Sequence, residues 1–145
     1  MASEYKPNLG VIALTASTSL TADGYAGKVI TISAAAGLTI TLPAATGSGA
    51  TYEIVAITTV TSNGYIIAVA NASDVMMGVL SVSTDAAGVT VPTAATSDTI
   101  TMNGSTTGGI LGSRVVLTDI ATNKWSVSGE LVSSGAEATP FSAAV

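Results

Sequence analysis

"KVITISAAAGLTITLP" (residues 28–43) changes character at every second residue. Leu38, Ile40 and Leu42 face one way and Thr39 and Thr41 the other, the pattern of a strand buried on one side. Pro43 ends the run, because proline has no N–H to give to a ladder. Upstream, Lys28, Ile30 and Ile32 alternate with Val29, Thr31 and Ser33. The short "AAAG" between the runs, with Gly37 placed for a left-handed backbone, predicts a hairpin joining them.

The same period continues outward. "TYEIVAITTV" (51–60) and "GYIIAVA" (64–70) bracket Asn63-Gly64, a strong hairpin signal between β-branched runs. "DVMMGVLSVS" (74–83) reads as a strand with Gly78 as a bulge, followed by "GVTVP" (88–92) and "DTITMNG" (98–104). "RVVLT" (114–118) and "WSVSGELV" (125–132) form a closing hairpin through "DIATNK". No segment keeps a 3.6-residue period for ten residues. Strand-sized runs at regular spacing predict an all-β fold, a small antiparallel β-sandwich or barrel. The echoes "VITIS", "LTITLP" and "DTITMN" read as repeated strand chemistry rather than an internal repeat.

One domain is expected, over residues 11–132, between an extended N-terminal arm (1–10) and an extended C-terminal tail (133–145). The chain has 145 residues and neither Cys nor His, which removes disulfides, thiol chemistry and the commonest general base together. Four basic residues, Lys6, Lys28, Arg114 and Lys124, against nine acidic ones cannot build the basic surface that nucleic acid requires. No apolar run reaches membrane-spanning length, and "MASEYKPNLG" lacks the basic and apolar regions of a secretory signal. Charged residues make up 9% of the chain, against about 25% in ordinary soluble domains, so much of the surface is expected to be covered by partners.

Chemical motifs are sparse. The closest two carboxylates, Glu130 and Glu137, are seven residues apart, which gives no local acid pair or calcium loop. Aspartates near turns, such as Asp23, are expected to accept backbone N–H bonds. Convergence of Asp98 with Asp119 in a cleft is the arrangement that would make an enzyme of the chain. "GSTTGG" (104–109) lacks the lysine and the following helix of a phosphate loop and is expected to be a flexible loop. The sequons at Asn71 and Asn103 are chance matches. No cofactor, metal or small-molecule substrate is expected.

Trp125 is the only tryptophan. It shares a face with Val127, Gly129 and Leu131, whereas Ser126, Ser128 and Glu130 share the other, so it is predicted to anchor the core rather than stack on a ligand. Tyr5, Pro7 and Leu9 in the N-terminal arm, together with Phe141 in the tail, are the candidate partner contacts, since an extended segment with alternating bulky residues suits addition to a sheet edge.

Two segments, "LTADGYAGKVITISAAAGLTITLPAATGSGATYEIV" (20–55) and "TMNGSTTGGILGSRVVLTDIATNKWSVSGEL" (101–131), resemble the head-decoration (cement, or auxiliary capsid) proteins of tailed bacteriophages. The resemblance implies a β-tulip-type subunit, commonly a homotrimer, on the capsid exterior after synthesis in the host cytoplasm. It implies a non-enzymatic role, bridging neighbouring copies of the major capsid protein. Two other readings stay open: a head-fibre, tail-fibre or baseplate module that binds a host surface, and a non-viral self-assembling surface or filament protein.

Overall fold

The computed structural model describes residues 10–145, and almost all of its regular structure is β. The strands are β1 (Val11–Leu14), β2 (Thr18–Ser19), β3 (Val29–Ile32), β4 (Leu38–Thr41), β5 (Thr51–Ala56) and β6 (Tyr65–Ala68). They continue as β7 (Val75–Ser83), β8 (Gly88–Pro92), β9 (Thr99–Met102), β10 (Arg114–Ala121), β11 (Lys124–Val132) and β12 (Phe141–Ser142). A single helical turn, α1 (Ala22–Tyr25), follows Thr21, whose hydroxyl accepts from Gly24 N–H.

Two mixed sheets result. One has seven strands in the order β1-β3-β5-β10-β11-β7-β8, the other five in the order β12-β9-β6-β4-β2. The first six strands alternate between the sheets, and those within a sheet run parallel, so the chain winds as a flattened coil. Side chains stack from turn to turn: Ile12 on Ile30 on Ile54 in one sheet, Ile40 on Ile67 on Ile100 in the other. These inward ladders meet in one hydrophobic cluster that also takes in Tyr52, Leu80, Leu117 and Trp125.

The antiparallel arrangement expected for residues 28–70 is therefore corrected. β3 and β4 lie in different sheets, as do β5 and β6, so neither "AAAG" nor Asn63-Gly64 closes a hairpin. Local turn chemistry is nonetheless as expected: Gly37, Asn63 and Gly64 all have positive φ, at 86°, 58° and 72°. These turns are stacked corners of the coil. Thr61 N–H and Ser62 N–H donate to Ala35 O, and Asn63 Nδ2 donates to Ala36 O. A Cβ on Gly37 would sit 2.5 Å from Gly64 O, so only glycine lets the corners approach this closely.

The closing hairpin forms, with longer arms and a shorter turn than "DIATNK" suggested. β10 pairs antiparallel with β11, Leu117 opposite Val127 and Asp119 opposite Trp125, with the turn at Thr122 and Asn123. It enters the sheet between β5, which it meets antiparallel, and β7, which runs parallel to β11. At that last junction a Cβ on Gly78 would lie 1.9 Å from Val127 O. Gly78→Ala is expected to destabilise the fold by more than about 1 kcal/mol, because the two strands must part to admit the methyl group. Thermal denaturation checks this.

Residues 133–145 run back along their own chain. Ser133, Ser134 and Ala138 donate backbone N–H bonds to Ser83, Ser105 and Thr106, and β12 pairs antiparallel with β9. Phe141 stands opposite Ile100, which extends the second sheet's ladder and explains why a residue in a small, irregular segment packs against the core.

Candidate functional site

Trp125 is 1% exposed and meets Tyr52 edge to face, with ring centroids 5.8 Å apart and planes at 61°. Its Nε1 has no hydrogen-bond partner, so the indole contributes bulk rather than a polar link. Tyr65 is fully buried and donates its hydroxyl to Thr58 O. These three aromatics lie inside the protein, where no sugar or base can stack on them.

The buried carboxylates mark the polar centre of the molecule. Asp119, near the end of β10, is 3% exposed and holds the loop after β4. Its Oδ1 accepts from Thr46 N–H at 3.0 Å and Gly47 N–H at 2.7 Å. Its Oδ2 accepts from Ser48 N–H at 3.2 Å and Ser48 Oγ at 2.7 Å. Burial acts to raise the Asp119 pKa, but the bonds from Thr46, Ser48 and Gly47 outweigh it and hold the group at about 2. Burial first, and the Asp119 charge second, push the neighbouring Tyr52 phenol up.

Asp74 completes the clasp. Its Oδ2 accepts from Ala45 N–H at 2.9 Å, so residues 45 to 48 turn four successive N–H groups onto two carboxylates. Backbone bonds from Asn123 N–H to Ala45 O and from Val75 N–H to Asn123 O tie the hairpin tip into the same knot. The nearest sequence signal is "TGSG" (46–49), a loop whose small residues leave its N–H groups accessible. Its partner lies 71 residues beyond Ser48 and is visible only in the fold.

Asp98 is engaged separately. It accepts from Thr99 Oγ1 at 2.7 Å, Ala144 N–H at 2.8 Å and Val145 N–H at 3.3 Å, which pins the last residues beside β12. Asp98 and Asp119 thus hold different segments, residues 144–145 and 46–48, and share no hydrogen-bonding partner. Among the described residues, no three Asp or Glu side chains gather as a metal site would require.

Arg114 lies on the outer face of the seven-stranded sheet. Its Nε donates to Glu53 Oε1 at 2.6 Å, and its Nη1 is 3.5 Å from Glu130 Oε2, so its charge is met within its own chain. These side chains remain substantially exposed. Arg114→Met is expected to change stability by less than about 1 kcal/mol, with the difference shrinking in high salt. Chemical denaturation at two ionic strengths checks it.

The "GSTTGG" segment is a loop, as expected, and its turns are closed by its own hydrogen bonds. Asn103 Oδ1 accepts from Ser105 N–H and Thr107 N–H, Asn103 Nδ2 donates to Thr106 Oγ1, and Gly104 N–H donates to Gly108 O. At the hairpin-tip end, Val75, Met76, Met77, Thr93, Ala94, Ala95 and Lys124 line a shallow groove of about 290 Å³. Lys124 is its only charged group, and the one other polar side chain, Thr93, turns its hydroxyl to Gly78 N–H, which leaves little to fix a ligand.

Large apolar side chains also reach the surface: Val11, Leu111 and Ile57 are 68%, 62% and 54% exposed. Tyr5, Pro7 and Leu9 lie outside the described residues, and Phe141 packs on its own core. Comparison with protein-family models, with curated proteins and with solved structures finds no match.

Proposed function

We propose that this chain is a non-enzymatic structural subunit of a virion. Its two sheets pack as a β-sandwich, and it decorates the outside of a tailed-phage capsid, as a homotrimer that bridges neighbouring major capsid proteins. Tyr5, Pro7 and Leu9 make the capsid contact in this reading.

The observation that carries the proposal is where the molecule spends its polar chemistry. Asp74, Asp98 and Asp119 are buried and turned onto their own backbone, and Arg114 is paired with Glu53 and Glu130. Apart from scattered charges at Asp23, Asp85, Lys124 and Glu130, what faces outward is hydroxyl and apolar surface suited to being covered by protein. The resemblance of residues 20–55 and 101–131 to decoration proteins points the same way. Burial of Trp125 and Tyr65 removes the exposed aromatic platform that a host-sugar module would use.

A decoration protein stabilises a shell by binding its mature lattice better than its broken one. Saturating protein added to undecorated mature heads is expected to raise their resistance to heat or chelator. Unchanged head stability at saturation would sink the proposal.

A further inference from the structure

The two edges of the seven-stranded sheet are built differently. Along β8, Thr84 N–H donates to Ala87 O and Thr93 N–H donates to Gly78 O. This phase leaves Gly88, Thr90 and Pro92 directed away from β7, and Pro92 has no N–H to offer. A proline on the open side is a recognised protection against strand addition.

β1 has no such protection. Val29 N–H donates to Gly10 O and Ser33 N–H donates to Leu14 O, so Gly10, Ile12 and Leu14 address β3. Val11 and Ala13 therefore present their N–H and C=O groups to the open side. The strand carries no proline, charge or register shift. Its ladder is also unfinished. Ile30 and Ile54 are buried, whereas Ile12 at the end of the row is only partly covered. A stacked coil needs a cap at its terminal turn, and none covers this edge among the described residues.

We infer that the open edge of β1 is a self-association surface, at which two copies pair β1 with β1 antiparallel about a two-fold axis through Ile12. In that register Val11 of each copy opposes Ala13 of the other, and the four outward groups on each side satisfy one another. Ile12 meets its own mate across the axis on the inner face, which continues the Ile12–Ile30–Ile54 ladder from one copy into the other. The chain has a net charge of −5, yet residues 10 to 22 carry no charge at all, so two copies can meet here without like-charge contact. This two-fold contact is distinct from the three-fold assembly of the decoration reading and does not rest on it.

The test uses the full chain in sedimentation velocity across a wide concentration range. A concentration-dependent dimer is expected, weakened at least tenfold by Val11→Lys, which places a charge at an already exposed position. Thr90→Lys on β8 should leave the dimer unaffected. Because the chain has no cysteine, Ile12→Cys supplies one thiol per copy and should cross-link under mild oxidation, with circular dichroism confirming the fold. Three results would each overturn the inference: a monomer at every concentration, a dimer indifferent to Val11→Lys with no Ile12→Cys cross-link, or dimerisation only after residues 1–9 are removed. The last would make the chain's own N-terminal segment the occupant.

Discussion

Trp125→Ala is expected to cost about 3–5 kcal/mol, a large share of the stability of a domain this size. The indole is 1% exposed, lies edge to face on Tyr52, and sits where β11 joins β7, with Met76 as its cross-strand neighbour. Truncation leaves a void that close-packed neighbours cannot fill without moving the hairpin. Since Nε1 has no partner, Trp125→Phe should lose only volume and cost clearly less than alanine. Chemical denaturation of the three proteins measures both steps. A loss well under 1 kcal/mol for alanine would mean that the indole is not a core anchor.

Asp119→Ala is expected to cost about 2–3 kcal/mol, for a different reason. The substitution strands the N–H groups of Thr46, Gly47 and Ser48 together, and each has been aimed at this carboxylate. Acid should reproduce part of the loss. The folded pKa of about 2 lies below the ordinary 3.8, so Asp119's contribution is complete above pH 3.8 and disappears as pH falls through about 2. The difference corresponds to about 2 kcal/mol. Asp119→Asn should lower stability at neutral pH and flatten this part of the acid limb. Denaturation of wild type and Asp119→Asn between pH 5 and 2 tests the assignment. Parallel curves would assign the acid sensitivity to other groups.

The two residues differ in how far the sequence announces them. Trp125 could be turned inward from its own neighbours, because Val127 and Leu131 recur at the period of a strand with one buried face. Asp119 was legible only as one of nine carboxylates. Its role depends on the loop that follows β4, which the tertiary fold brings to the end of β10.

The positions of β3 to β11, the inward faces of β4 and β11 and the β10–β11 hairpin were determined by the sequence alone, because alternation and turn chemistry act over a few residues; β1, β2 and β12 were not. Pairing was not. A strand in either sheet, parallel or antiparallel, shows the same period of two, so "VITI" and "LTIT" gave no sign that they belong to different sheets. Asn63 and Gly64 have the backbone of a tight turn, yet that turn carries the chain across the core instead of back beside itself. Phe141 found its place only because β9 offered an edge. Tertiary structure decided these points because the inward faces of both sheets meet in one shared core, and that non-local packing selects a pairing that a period of two leaves open.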